Sequence, residues 1–210
     1  MEDLFPRKEG LDFTRLKTTE EGAYSITRRR DAERILNIIR IVVKDLSTKT
    51  ITDATACIGG DTINFALHFK EVHSIELKKE NYDILQNNVN VYELTNVNLY
   101  HGDCTSLYTW YSDVLYIDPP WGGRDYKEQK CLELFLTNKR LDVWLEEILL
   151  QKSRPSHIIL KLPSNYNFKQ LDVLPNAELI KAYQIRSYVL IIISVHKAEK
   201  RIAQSPTLVR

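Results

Sequence analysis

The sequence has few cysteines and no spacing that would join them. Cys57, Cys104 and Cys131 are far apart, odd in number and without the pattern of a zinc site. We therefore expect no disulfide framework and no metal, and a reducing, intracellular setting fits. The first ten residues lack the apolar core of a signal peptide. The longest apolar run, YVLIIISV, is too short to cross a bilayer, so we expect no membrane partner.

The sequence also lacks an excess of charge of one sign and a glycine-rich fingerprint. Its 29 lysines and arginines are balanced by 28 acids, which gives a net charge of +1 and no overall field for nucleic acid. Basic residues cluster at Arg28–Arg30 and in the C-terminal stretch HKAEKRIAQSPTLVR, as solvated surfaces often do. The three spaced glycines of dinucleotide-binding proteins are absent.

What is present is an alternation of strand-like and helix-like segments. The runs KTITDATA, EVHSIEL, NVNLYHGD, SDVLYID and SHIILKLP predict strands, and helical periodicity follows most of them. Thr27 is predicted to cap the first long helix, and a helix is predicted over 131–151. The final runs AELIKAYQI and SYVLIIISV predict an antiparallel pair. This order predicts an α/β, Rossmann-like domain whose seven-stranded sheet is mostly parallel, with a C-terminal antiparallel strand.

The chain shows no repeat and no internal domain boundary. The length of 210 residues and the 43% hydrophobic content suit one domain with its own core. We expect a flexible N-terminal segment over 1–22, one domain over 23–197 and a charged tail over 198–210. A monomer is favoured.

Acids or glycines follow the first four predicted strands. In such sheets, ligands bind outside the carboxyl ends of the strands. Gly59 and Gly60 follow the first strand, where they allow close backbone approach at the start of a helix. Glu76, Asp103 and Asp118 end or follow the next three strands, and Glu76 is placed to accept the two hydroxyls of a ribose. This coincidence predicts a nucleoside-binding crevice with its reactive corner at Asp118.

The fourth strand runs into Asp-Pro-Pro-Trp-Gly-Gly at 118–123. Two prolines fix the main chain, and the residue before a proline is held extended, so the Asp118 carboxylate is aimed rigidly. A single adenosyl group without a pyrophosphate suits the crevice, which predicts S-adenosylmethionine as the cofactor. Acceptors on both hydrogens of a base amine would align its lone pair with the methyl group and stabilise the positive charge developing on nitrogen. Trp121 offers a face for the base, worth about 1–3 kcal/mol.

Four segments resemble those of one family. DATACIGGDTINFAL (53–67) and DPPWGGRDY (118–126) are similar to segments of the trimethylguanosine synthases, the RNA cap guanine-N2 methyltransferases. AYSIT (23–27) resembles the family's segment before its first helix, and KLPSN (161–165) resembles its Leu-Pro-Arg-Asn segment. The Trp-Gly-Gly that follows Pro-Pro is the most specific of these matches.

The resemblance implies methyl transfer to the exocyclic N2 amine of a 7-methylguanosine cap on RNA, giving di- or trimethylguanosine. It implies catalytic roles for Asp118, Pro119 and Trp121. The residues it assigns to the cofactor are Thr27, Asp53, Thr55, Gly59, Gly60, Thr62, Glu76, Asp103, Cys104 and Asp118. Those it assigns to the substrate are Tyr24, Ser25, Pro120, Trp121, Arg124, Tyr126 and Asn165. The implied partner is capped RNA.

The sequence departs from the family at several positions, among them Thr55 and Ala56, which stand where the family has Phe and Cys. Cys57 stands at the first glycine of the cofactor loop, Asp118 at the motif serine, Arg124 at a proline and Ser164 at the arginine of Leu-Pro-Arg-Asn. The aspartate keeps an alternative open: an amino-methyltransferase acting on adenine N6 in DNA or RNA, or on guanine in rRNA. A third possibility is a non-catalytic cap-binding module, which a strained loop at Cys57 would favour.

Overall fold

Strands and helices alternate along residues 1–196, the part of the chain that the computed structural model describes. The strands are β1 (Thr50–Asp53), β2 (Glu71–Glu76), β3 (Val97–His101), β4 (Val114–Ile117), β5 (Phe135–Leu136), β6 (Lys139–Arg140), β7 (His157–Pro163), β8 (Ala177–Ile185) and β9 (Tyr188–Val195). The helices are α1 (Glu20–Ser25), α2 (Arg29–Val42), α3 (Gly60–Ala66), α4 (Lys79–Val91), α5 (Cys104–Leu107) and α6 (Leu141–Leu150). Short 3-10 turns cover Phe13–Arg15, Leu46–Thr48, Arg124–Glu128 and Phe168–Leu171.

Seven strands form one sheet in the order β3-β2-β1-β4-β7-β9-β8. The pairs β3–β2, β2–β1, β1–β4 and β4–β7 are parallel, whereas β9 runs antiparallel to both β7 and β8. The predicted fold class is therefore confirmed, including the antiparallel strand near the C-terminus. The chain order reverses on either side of β1, so the carboxyl ends of β1 and β4 open onto the crevice of a doubly wound sheet.

Apolar layers cover both faces of the sheet. One layer contains α6 and the inward side chains of β7 and β9, and the other contains α2 and α3. All four residues of β4 are buried, as expected for a central strand covered on both faces. A third cluster joins α3 and α4 to the N-terminal segment.

The first 22 residues depart from the expectation of a flexible segment. Phe5 is fully buried, and the Tyr92 hydroxyl donates a hydrogen bond to the Pro6 carbonyl. The Asn88 side chain accepts from the Lys17 backbone N–H at 2.9 Å and donates to the Lys17 carbonyl at 3.0 Å and the Ile58 carbonyl at 2.9 Å. Because buried amides are satisfied in this way, the segment is fixed to α4 and to the loop after β1. Isolated apolar residues among polar ones carry no periodic signal.

Two local predictions are wrong. Residues 131–140 form the β5–β6 hairpin and its approach, so the helix predicted over 131–151 begins only at Leu141. Leu132, Leu134 and Leu136 are buried and alternate with exposed neighbours, which is the period of a strand. Thr27 does not cap α2, whose N-cap is Arg28 without a side-chain bond. The predicted tail over 198–210 lies outside the described residues.

Candidate active site

A cavity of about 550 Å³ opens at the carboxyl ends of the parallel strands. Its volume lies in the ordinary range for small-molecule sites. The predicted site residues that line it are Tyr24, Ser25, Thr27, Thr55, Glu76, Asp103, Cys104, Asp118, Pro119, Pro120, Trp121 and Tyr126. The crevice predicted from four strand ends is thus one continuous space.

Glu76 ends β2 and is nearly buried at 7% exposure. Its carboxylate accepts the backbone N–H groups of Cys57 at 2.8 Å and Lys78 at 2.7 Å. Burial raises the pKa of Glu76, and the hydrogen bonds from Lys78, Cys57 and Asn81 oppose that rise. The side chain is therefore held in one orientation at the wall of the cavity, with acceptor oxygens suited to a pair of hydroxyl groups.

Asp103 follows β3 and caps α5. Its carboxylate accepts the backbone N–H and the hydroxyl of Thr105, each at 2.8 Å. Although burial opposes the effect, these hydrogen bonds lower the pKa of Asp103, so the acid is ionised at neutral pH. Cys104 is buried beside it, and burial raises the pKa of its thiol to about 12. This end of the cavity offers one charged acceptor and one small apolar side chain, which suits an adenine ring and its amine.

Cys57 adopts a left-handed backbone conformation, with φ at 49°. It lines the cavity, and burial raises the pKa of its thiol to about 12, so the side chain remains neutral. Gly59 is also left-handed, at 98°, and forms the N-cap of α3. The loop thus keeps the path that glycines would take. The Cys57 backbone N–H donates to Glu76 as that of a glycine would, while the β-carbon of Cys57 makes this φ strained.

Five residues predicted for the cofactor or substrate lie outside the cavity wall. Asp53 is buried behind it, accepting from the Thr62 hydroxyl at 2.6 Å, and burial raises the pKa of Asp53 to about 8. Gly60 packs against Ile26 rather than against the cavity. The set consists of Asp53, Gly59, Gly60, Thr62 and Asn165.

Asn165 supports the motif loop from beneath. Its side-chain amide donates to the carbonyls of Tyr126 at 2.7 Å and Gln129 at 2.8 Å. These bonds fix the 3-10 turn that follows the two glycines. Asn165 therefore holds Tyr126 in place and is not part of the cavity wall. The side chain of Arg124, also predicted for the substrate, lies outside what the structure describes.

The Asp118 motif is anchored to the loop after β1 and to β7. The Asp118 backbone N–H donates to the Thr55 hydroxyl at 2.9 Å. The Asp118 carboxylate accepts from Lys161 Nζ at 2.6 Å, and the carboxylate is 18% exposed. Burial raises the pKa of Asp118 to about 6, against the opposing charge of Lys161. At neutral pH this carboxylate is an ionised acceptor facing the cavity.

Trp121 packs partly into both apolar layers while one part of it lines the cavity. The Tyr126 ring meets it edge to face, with centroids 5.1 Å apart, and the Tyr188 ring lies 6.4 Å away. Aromatic pairs with this geometry are held more firmly than their area alone provides. Trp121 is therefore a fixed surface with one aromatic neighbour on each of two elements.

Lys161 and Arg186 were not predicted as site residues. Lys161 belongs to the KLPSN segment, yet a lysine within an apolar strand gives no signal of its partners. Arg186 lies in the turn between β8 and β9 with φ at 52°, and it lines the cavity together with Arg28. Its guanidinium lies 3.7 Å from the Asp31 carboxylate. Two arginines that sequence reasoning did not place in one site therefore line the same cavity.

The arrangement separates two kinds of chemistry within one space. Fixed carboxylates end or follow β2 and β3, whereas a rigid acceptor and an aromatic face follow β4, and Arg186 precedes β9. Within residues 1–196, no group of three or more acids, histidines or cysteines is arranged to hold a metal ion. No helix in the same range is long and apolar enough to cross a membrane.

Comparison with known proteins finds relatives that include an uncharacterised viral protein and a trimethylguanosine synthase. The chain is 31% identical to the uncharacterised protein L320 of Acanthamoeba polyphaga mimivirus, over 90% of this chain and 83% of that one. It is 25% identical to a trimethylguanosine synthase of Schizosaccharomyces pombe, over 70% of this chain and 63% of that one. The chain therefore spans less than two thirds of the yeast protein.

Solved structures share the fold at low identity. A putative methyltransferase from Escherichia coli, yhhF, matches with a TM-score of 0.60 and 12% identity, covering 88% of this chain and 92% of that one. The Thermus thermophilus 16S rRNA N2 G1207 methyltransferase, solved with AdoMet and guanosine, matches with a TM-score of 0.62 and 13% identity, covering 79% and 43%. These likenesses establish the class I methyltransferase fold.

A family model described as RNA cap guanine-N2 methyltransferase matches residues 48–205, well over half of the chain. Both the cavity wall from Ala54 to Cys104 and the Asp118 motif fall within the matched range. The protein is a class I S-adenosylmethionine-dependent methyltransferase, and the chain belongs to the RNA cap guanine-N2 methyltransferase family.

Proposed function

We propose that this protein methylates the exocyclic N2 amine of a 7-methylguanosine cap on RNA. One observation carries the proposal: the Asp118–Trp121 segment forms a wall of the same cavity that contains Glu76 and Asp103. A nucleoside held by the two acids and a base held on the tryptophan would share this space. Only their adjacency allows direct transfer between them.

The cofactor end fits an adenosyl group by the chemistry of its donors and acceptors. Glu76 is fixed by two backbone N–H groups and would accept the ribose hydroxyls, and Asp103 would accept the adenine amine. When bound, S-adenosylmethionine supplies a methyl group on a sulfonium, whose carbon–sulfur bond breaks as the carbon–nitrogen bond forms. Tyr24 and Ser25, from α1, would cover the group from the solvent side.

The base end fits a purine whose amine points at Asp118. Trp121 would stack on the base, and Tyr126 keeps the indole from turning because its ring meets the indole edge to face. The Asp118 carboxylate would accept from the amine and stabilise the charge that develops on nitrogen. The methylated amine then releases its proton to water, and no side chain is assigned to that step.

The phosphate bridge of a cap would leave the cavity past Arg28 and Arg186. Both arginines line the cavity, and guanidinium groups pair well with phosphate oxygens. Ser164, which stands where the resembling family has an arginine, donates instead to the Ser187 carbonyl at 3.0 Å. It thereby braces the turn that carries Arg186, so the arginine at this mouth comes from the neighbouring turn.

Methyl transfer from labelled S-adenosylmethionine tests the proposal. The substrates are cap dinucleotides with 7-methylated and unmethylated guanine, beside an adenine-containing oligonucleotide and an rRNA fragment. We expect label only in the 7-methylated cap, and mass spectrometry of the product then counts one or two added methyl groups. Asp118→Ala should retain cofactor binding and lose turnover.

Two other outcomes would contradict the proposal. Transfer to adenine or to rRNA guanine without a cap would establish the alternative amino-methyltransferase. The rRNA substrate is included because the similar Thermus protein is an rRNA N2 guanine methyltransferase. Cofactor and cap binding without any transfer would indicate a cap-binding module.

A further inference from the structure

We propose that Lys161 is a positioning residue for methyl transfer: it contacts Asp118, holds that carboxylate ionised and fixes its direction in the cavity. The inference rests on the proposed role of Asp118 as the acceptor for the base amine. Lys161 itself is not assigned a contact with the cofactor.

Two hydrogen bonds hold the ammonium group of Lys161 close to two aromatic rings. Nζ donates to Asp118 Oδ2 at 2.6 Å and to Thr27 Oγ1 at 2.8 Å, and the residue is 6% exposed. Nζ also lies 5.6 Å from the centre of the Trp121 ring and 5.3 Å from that of Tyr188. Strand β7, its neighbours β4 and β9, and the segment before α2 all contribute to this environment. A lysine so fixed orients the carboxylate that it pairs with.

The charges around Asp118 make this lysine necessary for an ionised acceptor. The groups that interact electrostatically with Asp118 are Asp53 on β1, Asp61 on α3, Tyr116 on β4, Tyr188 on β9 and the Cys57 thiol. Asp31 on α2 interacts electrostatically with Lys161. Burial is the largest influence on the pKa of Asp118 and raises it, Lys161 lowers it, and Asp61 raises it again. Removal of the ammonium would leave burial and the neighbouring acids opposed by the Trp121 hydrogen bond without the charge of Lys161, so the pKa of Asp118 would rise further.

Thr27 extends the effect to the segment that covers the cofactor end. Its hydroxyl accepts from Lys161 and donates to Asp61 Oδ2 at 2.6 Å. Thr27 directly follows α1 and Ile26, which pack over the cofactor loop. Lys161 thus bonds to both the motif and the covering segment, and placement of one is coupled to placement of the other.

The first test is the pH profile of kcat/KM on the cap dinucleotide for the native protein, Lys161→Met and Lys161→Arg. We expect an acid limb near pH 6 in the native protein, set by Asp118. Lys161→Met should move the limb up by about one pH unit or more and lower kcat more than it changes KM. Lys161→Arg keeps a positive charge and should return the acid limb most of the way to its native pH. A merely structural lysine would leave the limb in place, which would overturn the inference.

A second test needs no turnover. Carbon-13 NMR of labelled aspartate carboxyls, with Asp118 assigned through Asp118→Asn, measures its titration in the native protein and in Lys161→Met. An unchanged Asp118 pKa would overturn the inference even if both proteins were inactive on the cap. Cofactor affinity and unfolding temperature, measured alongside, show whether Lys161→Met is folded. A failure of the cap substrate itself appears in the native protein and concerns the proposed function alone.

A double-mutant cycle separates action through Asp118 from direct substrate contact. Single-turnover rates are compared for Lys161→Met, Asp118→Asn and the pair. If Lys161 acts through Asp118, Lys161→Met should cost little once residue 118 is neutral. Losses that simply multiply would assign Lys161 its own contact with substrate and contradict the positioning role.

Discussion

Gly60 and Ile26 lie in direct contact, with no space for a side chain between them. A β-carbon on Gly60 would lie 2.5 Å from Ile26 Cγ1, and one on Gly22 would lie 2.7 Å from Ile58 Cγ2. A glycine thus faces an isoleucine on each side of this contact. Gly22 of α1 faces Ile58 in the loop after β1, and Gly60 of α3 faces Ile26, which follows α1. The segment covers the cofactor end because neither backbone is held off by a side chain.

Gly60→Ala should therefore displace the N-terminal segment. We expect a loss of about 1–3 kcal/mol in unfolding free energy, as for other overpacked sites, with weaker cofactor binding. Denaturant unfolding and calorimetric titration measure the two effects. Ile26→Ala in the same chain removes the clashing atoms and should recover part of the cofactor affinity; a loss that Ile26→Ala does not relieve would show that Gly60 acts elsewhere.

Cys57→Gly should stabilise the protein by about 1 kcal/mol. A residue with a β-carbon pays for the left-handed conformation that Cys57 adopts, and glycine does not, although glycine gains freedom in the unfolded chain. Denaturant unfolding measures the change. Cys57→Ala is the matched control, since it removes the thiol but keeps the β-carbon, and it should give no gain. Equal gains from both variants would attribute the effect to the thiol.

Trp121→Ala should weaken cap binding by about 1–3 kcal/mol and leave cofactor binding nearly intact. The indole packs into both apolar layers, so part of its role is structural. Trp121→Phe keeps an aromatic face and is the control for packing. Cap and cofactor affinities from fluorescence titration decide the matter, because equal losses of both would make Trp121 a core residue only.

Arg186→Gln should weaken binding of capped RNA at low salt, and the difference should fade as salt rises, because phosphate contacts are screened. Arg40→Gln is the matched control. Arg40 lies in the last turn of α2, at the opposite end of that helix from Arg28, and does not line the cavity. Binding isotherms at several salt concentrations give the slope. A loss that does not vary with salt would indicate that the turn between β8 and β9 has been disrupted.

Asp53→Asn should flatten the pH dependence of stability. Burial raises the pKa of Asp53 to about 8, so in the folded protein it keeps a proton that the unfolded chain has lost above pH of about 4. Its contribution to stability is therefore present at low pH and declines as pH rises through that window. Unfolding temperatures are measured at several pH values between about 4 and 8, and they should fall less steeply with rising pH in the variant. Parallel slopes would place the titration on another group.

The strand ends were predictable because they follow from one rule of sheet architecture. Glu76, Asp103 and Asp118 meet in one cavity since parallel strands deliver their carboxyl ends to the same edge. Strands β8 and β9 were predicted as a pair because β-branched residues recur there with a short turn between them.

What sequence reasoning missed depends on contacts between distant segments. Lys161 and Thr27 are far apart in sequence, and neither carries a local sign of the other. The sequence position of Thr27 is typical of a helix cap. In the folded protein its hydroxyl instead donates to Asp61 and accepts from Lys161. The alternation in 131–136 was visible, but the helical pattern that follows it from Leu141 masked the strand period.

The position of β9 has a consequence for synthesis. Within residues 1–196, β8 bonds to the sheet through β9 alone, and β9 lies between β7 and β8, so β8 leaves the ribosome before its place in the sheet exists. Arg186 and Tyr188 lie at the junction of those two strands and line the cavity. The nascent chain therefore has no complete cavity wall until β9 has been translated.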